Sequence, residues 1–376
     1  MKTIFRATAA LALLGATLPA LAASATATRA WQFKPESNAG LAVRNLIGNI
    51  RVERGTLPGI HITANTTIEA ATQAEAERLA GLIEFRSSDV GAGSRFDVRF
   101  PHEHFPKIYS EKGASGWFST SYIDYLGERI RLVGDKDEAP AVRVDLVIRA
   151  PAGTKLDVSN IVGDSLAQNF SGKLRLDGGS GLLTSTGGEG ELELDNGSGA
   201  VAVSGHRGRV SADTGSGSVK ITNCDCEILA DTGSGSVDVQ KGKGSFFADT
   251  GSGGVQVEGF AGKFAADTGS GSVRARGVSD VKSIDVDTGS GSVNIEGDLS
   301  ALSKLNIDTN SGSVTLRSSA QPSMEIRIDT GSGGVDVDAP GATIRENDDG
   351  TIVRLKDAAG SGVIDTGSGS VKLNFL

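Results

Sequence analysis

The tetrapeptide Asp-Thr-Gly-Ser stands seven times in this chain, beginning at Asp213, Asp231, Asp249, Asp267, Asp287, Asp329 and Asp365. Two such carboxylates facing each other and sharing one proton would make an acid protease. Seven copies at near-even spacing make a column on one face instead, because stacked strands repeat every ~4.8 Å. Weaker copies begin at Asp177, Asp195 and Asp308. Carboxylates at that separation repel by about 1 kcal/mol per neighbour in water. Turn N–H groups capped by the aspartates, as in Asx turns, would offset this. Calcium held between coils is the alternative, although the glycine-rich nonapeptide of calcium-loaded β-rolls is absent.

Three other groups could do chemistry. Cys224 and Cys226 are the only cysteines. In an oxidising compartment they could close a local disulfide at a tight spacing, or remain as two half-buried thiols. Without a nearby His they make a poor metal site. His102 and His104 would share one face of a strand but lack a third ligand. Eight of the eighteen aromatics lie between Phe96 and Tyr125. The segment 102–126 breaks the surrounding pattern, and Tyr109, Trp117, Phe118, Tyr122 and Tyr125 are the candidate partner surface. Tyr and Trp favour interfaces and sugar platforms, while a packed excursion over the coils is the plainer reading. Arg274, Arg276, Lys282 and Asp285 come nearest to a charged cluster that interrupts the repeat, and they fall at outward strand positions.

The elements that position these groups are written in the repeat. Successive Asp positions are 18 apart from 177 to 267, then 20, 21 and 21. The last gap, from 329 to 365, is 36, and its middle, 347–353, reads as a degraded copy. A fixed period near 20 marks a solenoid. Apolar residues alternate with polar ones on both sides of each Gly/Ser turn: Ile228, Ala230, Val237, Val239; Phe246, Ala248, Val255, Val257; Phe264, Ala266, Val273, Ala275. Period-2 patterning means strands with one buried face, and each period holds two or three short strands with tight turns. The predicted fold is an all-β solenoid, a single-stranded β-helix of about 12 coils of 18–21 residues over 156–376. The glycines serve positive φ and close coil approach. A flexible linker is excluded, since linkers do not hold Val and Ile at fixed offsets.

Residues 23–155 are predicted to form a β-rich capping domain with one short helix. Strand alternation runs through Trp31–Asn65, with turns at Gly48-Asn49 and Pro58-Gly59. Thr72-Gln73-Ala74-Glu75 is a capping box, and Ala76, Leu79, Ala80 and Ile83 follow at helical spacing. Strands follow at 96–100 and 142–148, and Pro151-Ala152-Gly153-Thr154 turns into the stack. Such a domain would cover the open edge of the first coil. Residues 1–22 read as a secretory signal: Lys2 and Arg6, an apolar run from Ala7 to Leu18, and the small-x-small site Ala20-Leu21-Ala22. Export to the periplasm, outer surface or medium follows, with no transmembrane segment in the mature chain. The net charge of −9 becomes two units more negative without the leader, which argues against nucleic-acid binding.

With the 31–65 strands, the capped helix, the segment Val-Arg-Val-Asp-Leu-Val-Ile-Arg-Ala-Pro-Ala-Gly-Thr (142–154) and the Ser-Gly-Ser-Val repeats in view, residues 31–376 resemble a known group. They are the bacterial exported β-strand-repeat domains of unknown function that carry an adhesin name, and the related adhesin heads of the GIN type. The resemblance implies a β-solenoid, export, and no catalytic residues to carry over. The very regular repeat and the 102–126 insert depart from it. The expected function is a non-enzymatic envelope protein binding a surface, glycan or protein, with no cofactor. The alternatives are a self-associating scaffold or a polysaccharide-active enzyme. The last segment, Val371–Leu376, shows no polar cap, which predicts packing on a partner or self-association through that coil.

Overall fold

A computed structural model describes residues 23–34, 40–90, 93–110, 120–348 and 350–376. The leader and Trp117 and Phe118 lie outside them. The chain forms two compact units, Met1–Asp195 and Asn196–Leu376. The position 155/156, where the coils were expected to start, lies inside the first. Among the described residues no helix is long and apolar enough to cross a membrane.

In the first unit one coil comes from Leu41–Ile47 and Ile50–Arg54. It pairs in parallel with the next coil, Thr154–Val162 and Ser165–Gln168, more than 100 residues later. The intervening chain covers the other side of that coil. Ile60–Ala70 lies antiparallel between Ala23–Phe33 and Ala141–Ala150, and the latter runs parallel to Ile50–Arg54. Gly93–Arg99 pairs with Leu41–Ile47 and is itself covered by the antiparallel Glu84–Val90. The helix Gln73–Leu82 starts where expected: Thr72 Oγ1 accepts the Glu75 N–H at 3.2 Å, and Ala76, Leu79 and Ala80 are buried. Two buried asparagines tie cap to coil. Asn45 donates to Val144 O at 2.9 Å, and Asn160 donates to Gly48 O at 2.9 Å.

The second unit is built from two-strand coils of a β-solenoid. Longer strands, Arg207–Thr214, Asp225–Thr232, Lys243–Thr250 and Ala261–Thr268, stack in parallel in one sheet. Short strands, Val201–Ser204, Val219–Thr222, Val237–Gln240 and Val255–Glu258, stack in the other. Alternation puts Val219, Val237, Val255 and Val273 in one buried column, and Val210, Ile228, Phe246 and Phe264 in another. The rings of Phe246 and Phe264 lie 5.5 Å apart. Gly242 leaves room for Phe260, whose ring would come within 2.8 Å of a Cβ there.

The glycine-rich corner works through close approach. A Cβ on Gly235 or Gly253 would sit 1.8 or 1.7 Å from the glycine carbonyl of the preceding coil, while their φ values are not positive. The left-handed residues are at the opposite corner, at Gly205, Asn223, Lys241 and Gly259, with φ of 72°, 53°, 55° and 67°.

The end of the repeat corrects two expectations. Residues 347–353 are no coil. Thr343–Asn347 and Gly350–Leu355 form an antiparallel hairpin, and Gly350–Leu355 lies antiparallel to Met324–Thr330. Nor is the last coil of the sequence the last in the stack. Gly360–Thr366 runs between Lys304–Thr309 and Met324–Thr330, parallel to both. Val371–Phe375 likewise runs between Val314–Ser318 and Val335–Asp338. Val371, Leu373 and Phe375 are therefore buried, and the uncapped end read from Val371–Leu376 does not exist. The outermost short strand is Val335–Asp338, with Asp336 and Asp338 exposed along its edge, charges that discourage edge pairing.

Candidate functional site

The outer face of the first unit's longer-strand sheet carries a half-open recess of about 490 Å³. Its floor is made by register. Arg44, Ser159 and Asp177 are direct neighbours in one column, and Asp157 and Arg175 in the adjacent one. Its wall is the end of the strand Thr120–Tyr125 and the turn that follows, with Asp124, Tyr125 and Leu126. Tyr125 is buried; its hydroxyl donates to Val98 O at 2.7 Å, and its ring meets Phe100 edge-on at 6.4 Å. Burial, with Asp97 nearby, pushes its pKa far up. The wall is thus anchored in the core.

The charges in the recess are unevenly matched. Arg175 is committed to Glu193 and, at 3.0 Å, to Asp195. The side chains of Arg44, Asp157 and Asp177 make no hydrogen bond or ion pair with another described residue. Asp177 is half-buried, and its carboxyl is raised above the usual range by desolvation first, then by Asp195. A column of guanidinium, hydroxyl and carboxylate at coil spacing therefore faces an open volume with unused donors and acceptors.

The aspartate ladder lies on the outer face of the second unit. Its order is Asp213, Asp231, Asp249, Asp267, Asp287, Asp308, Asp365, Asp329. The turn bonds expected of these residues are made by the threonine that follows. Thr232 Oγ1 donates to Gly217 O at 2.9 Å and accepts Gly235 N–H at 3.0 Å. Thr250, Thr268 and Thr288 repeat both bonds. Parity explains the exchange: Thr points inward under the turn and Asp outward. Asp231, Asp267 and Asp365 have raised pKa values, from desolvation first and then from neighbouring aspartates. Among the described residues, no group of three or more His, Cys, Asp or Glu could hold a metal ion.

Cys224 and Cys226 are buried at a corner and paired as a disulfide, with Cα atoms 5.5 Å apart. His102 and His104 lie in a turn, not on a strand. The aromatic group divides. Tyr122 is 59% exposed with the Arg129 guanidinium 4.6 Å from its ring centre. Tyr109 is half-buried beneath Lys136, and Tyr125 is in the core. Arg274 and Arg276 belong to the short-strand sheet and Asp285 to the other, so they form no cluster.

Residues 142–374, more than half the chain, match the Toastrack DUF4097 family model. The chain belongs to that family. The Toastrack fold is a β-solenoid, in keeping with the stacked coils. No curated protein matches the sequence. A crystal structure of a Clostridium sporogenes protein, provisionally named for cell adhesion, aligns over 93% of this Toastrack chain and 99% of its own. Their identity is 8% and the TM-score 0.20.

Of the recess residues of this Toastrack protein, the sequence points to Tyr125 as partner surface and to Asp177 as a repeat corner, but not to Arg44, Asp157 or Ser159, nor to the grouping. Arg44 and Asp177 are 133 positions apart, and only the pairing of Leu41–Ile47 with Thr154–Val162 brings them together. The available signal was their outward parity on predicted strands.

Proposed function

We propose that the chain is an exported, non-enzymatic envelope protein of adhesin-like type that holds a glycan on the coil face of its first unit. The observation that carries this reading is the uncommitted Arg44–Ser159–Asp177 column facing the recess. Sugar hydroxyls both donate and accept, so an alternating guanidinium, hydroxyl and carboxylate suits them better than it suits an apolar ligand. The leader at 1–22 supports export. The resemblance to GIN-type adhesin heads belongs to the same proposal.

A panel of fluorescent envelope glycans tests it. Arg44→Ala and Asp177→Ala are each expected to weaken binding about tenfold or more, the loss of one charged hydrogen bond. Binding untouched by both, or lost instead in Trp117→Ala and Tyr122→Ala, would move the site to the aromatic segment. One observation favours polysaccharide cleavage as a second reading: Asp177, with its raised pKa, shares the recess with Asp157. Reducing-end release that disappears in Asp177→Asn would replace the binding reading with that one.

A further inference from the structure

The inserted coil fills a slot with two matching sides. Its longer strand, Gly360–Thr366, pairs through every residue from Ser361 to Thr366 with Lys304–Thr309, and with Met324–Thr330 on the other side. Its short strand does the same between Val314–Ser318 and Val335–Asp338. The fit is also one of shape. The inserted coil has Gly362 where neighbouring coils carry large side chains, and Leu305 and Met324 close over it. The connection into the coil is short. After Leu355, residues 356–359 must pass the start of Met324–Thr330, because the strands before and after the connection lie on opposite sides of it. Two of these four residues, Lys356 and Ala358, have left-handed backbone, with φ of 53° and 51°. Neither is glycine, so both are strained.

A short strained hinge leading into an element held by non-covalent pairing is the setting in which identical chains trade that element. We propose that the coil Gly360–Phe375 is exchangeable between two copies of this chain, giving a dimer in which each slot is filled by the other copy's coil. The hinge extends in the dimer and both left-handed residues relax, while every pairing of the coil is kept. The partner is a second copy because only this coil carries the Asp-Thr-Gly-Ser-Gly-Ser-Val corner together with the small residue at 362 that the slot requires. This inference is independent of the glycan proposal.

A cysteine pair at Thr315 and Lys372 reads the exchange. These residues are direct outward neighbours in parallel strands, at a Cα separation of ~4.8 Å that a disulfide can bridge. The full chain carrying Thr315→Cys and Lys372→Cys is refolded at high concentration, separated by gel filtration and run on a non-reducing denaturing gel. The expected result is a dimer fraction whose chains are covalently joined, beside a monomer fraction cross-linked within itself. Lys356→Gly and Ala358→Gly relieve the hinge in the monomer, and each is expected to lower the dimer association constant roughly tenfold. Removing Asp357 and Ala358 from the hinge is expected to convert the protein to dimer. A dimer fraction that runs only as single chains overturns the proposal. So does the absence of any dimer from the cysteine-pair protein, whether or not the shortened hinge folds.

Discussion

The repeat assigns each residue one task, and three substitutions separate those tasks. Thr250 Oγ1 joins its own turn to the one before it through Gly235 O and Gly253 N–H. Thr250→Val keeps the shape and removes both bonds, which should cost about 1–3 kcal/mol in chemical denaturation because the buried turn groups lose their partner. Gly253→Ala should cost roughly 2–4 kcal/mol, since its Cβ would fall 1.7 Å from Gly235 O. Asp267 should behave in the opposite way. It stands between Asp249 and Asp287, and desolvation together with those carboxylates raises its pKa. The folded state then holds a proton more tightly than the unfolded chain. That contribution to stability is present at acid pH and is lost as pH rises through the folded value. At neutral pH, Asp267→Asn should therefore stabilise by roughly 0.2–1 kcal/mol, the scale of a like-charge cross-strand contact. The gain should shrink as pH falls into the carboxylate range or as salt is added. A less stable variant at neutral pH would show that the carboxylate caps the turn after all.

At the scale of elements, edges decide what each strand must do. The hairpin Thr343–Asn347/Gly350–Leu355 closes the longer-strand sheet, with Val353 and Leu355 fully buried against it. Val353→Lys should strip that cover and expose the edge of Met324–Thr330, so light scattering should show aggregation with loss of the cooperative melt. A variant that stays monodisperse and melts like the parent would mean the hairpin is no cover. This hairpin resembles a coil in the sequence because Asn347-Asp348-Asp349-Gly350 carries the Asp and Gly of the repeat corner. What it lacks is the Thr that ties two turns together. That absence alone is not diagnostic, because the coils at Asp177 and Asp195 also lack the Thr; the hairpin is set apart by the antiparallel pairing of Gly350–Leu355 with Met324–Thr330.

At the scale of the whole chain, period and parity carried most of the fold. The alternation around Phe246, Val255 and Phe264 identified buried columns, and the fixed spacing identified stacked coils. Neither contains the order of the stack. The inserted coil satisfies the same local pattern as its neighbours, so Asp365 looks terminal in sequence while lying between Asp308 and Asp329 in space. The recess was hidden for a related reason: Arg44 and Asp177 meet only through a long-range register, whereas the conspicuous Tyr125 turned out to be core. The stacking order is open to one direct measurement within the second unit. Cysteines at 308 and 365 should cross-link rapidly under mild oxidation, because adjacent coils hold them at ~4.8 Å. Cysteines at 308 and 329, two coils apart at ~9.6 Å, should not. A ready 308–329 bond with none between 308 and 365 would show coils following one another in sequence order, and would contradict the inserted coil.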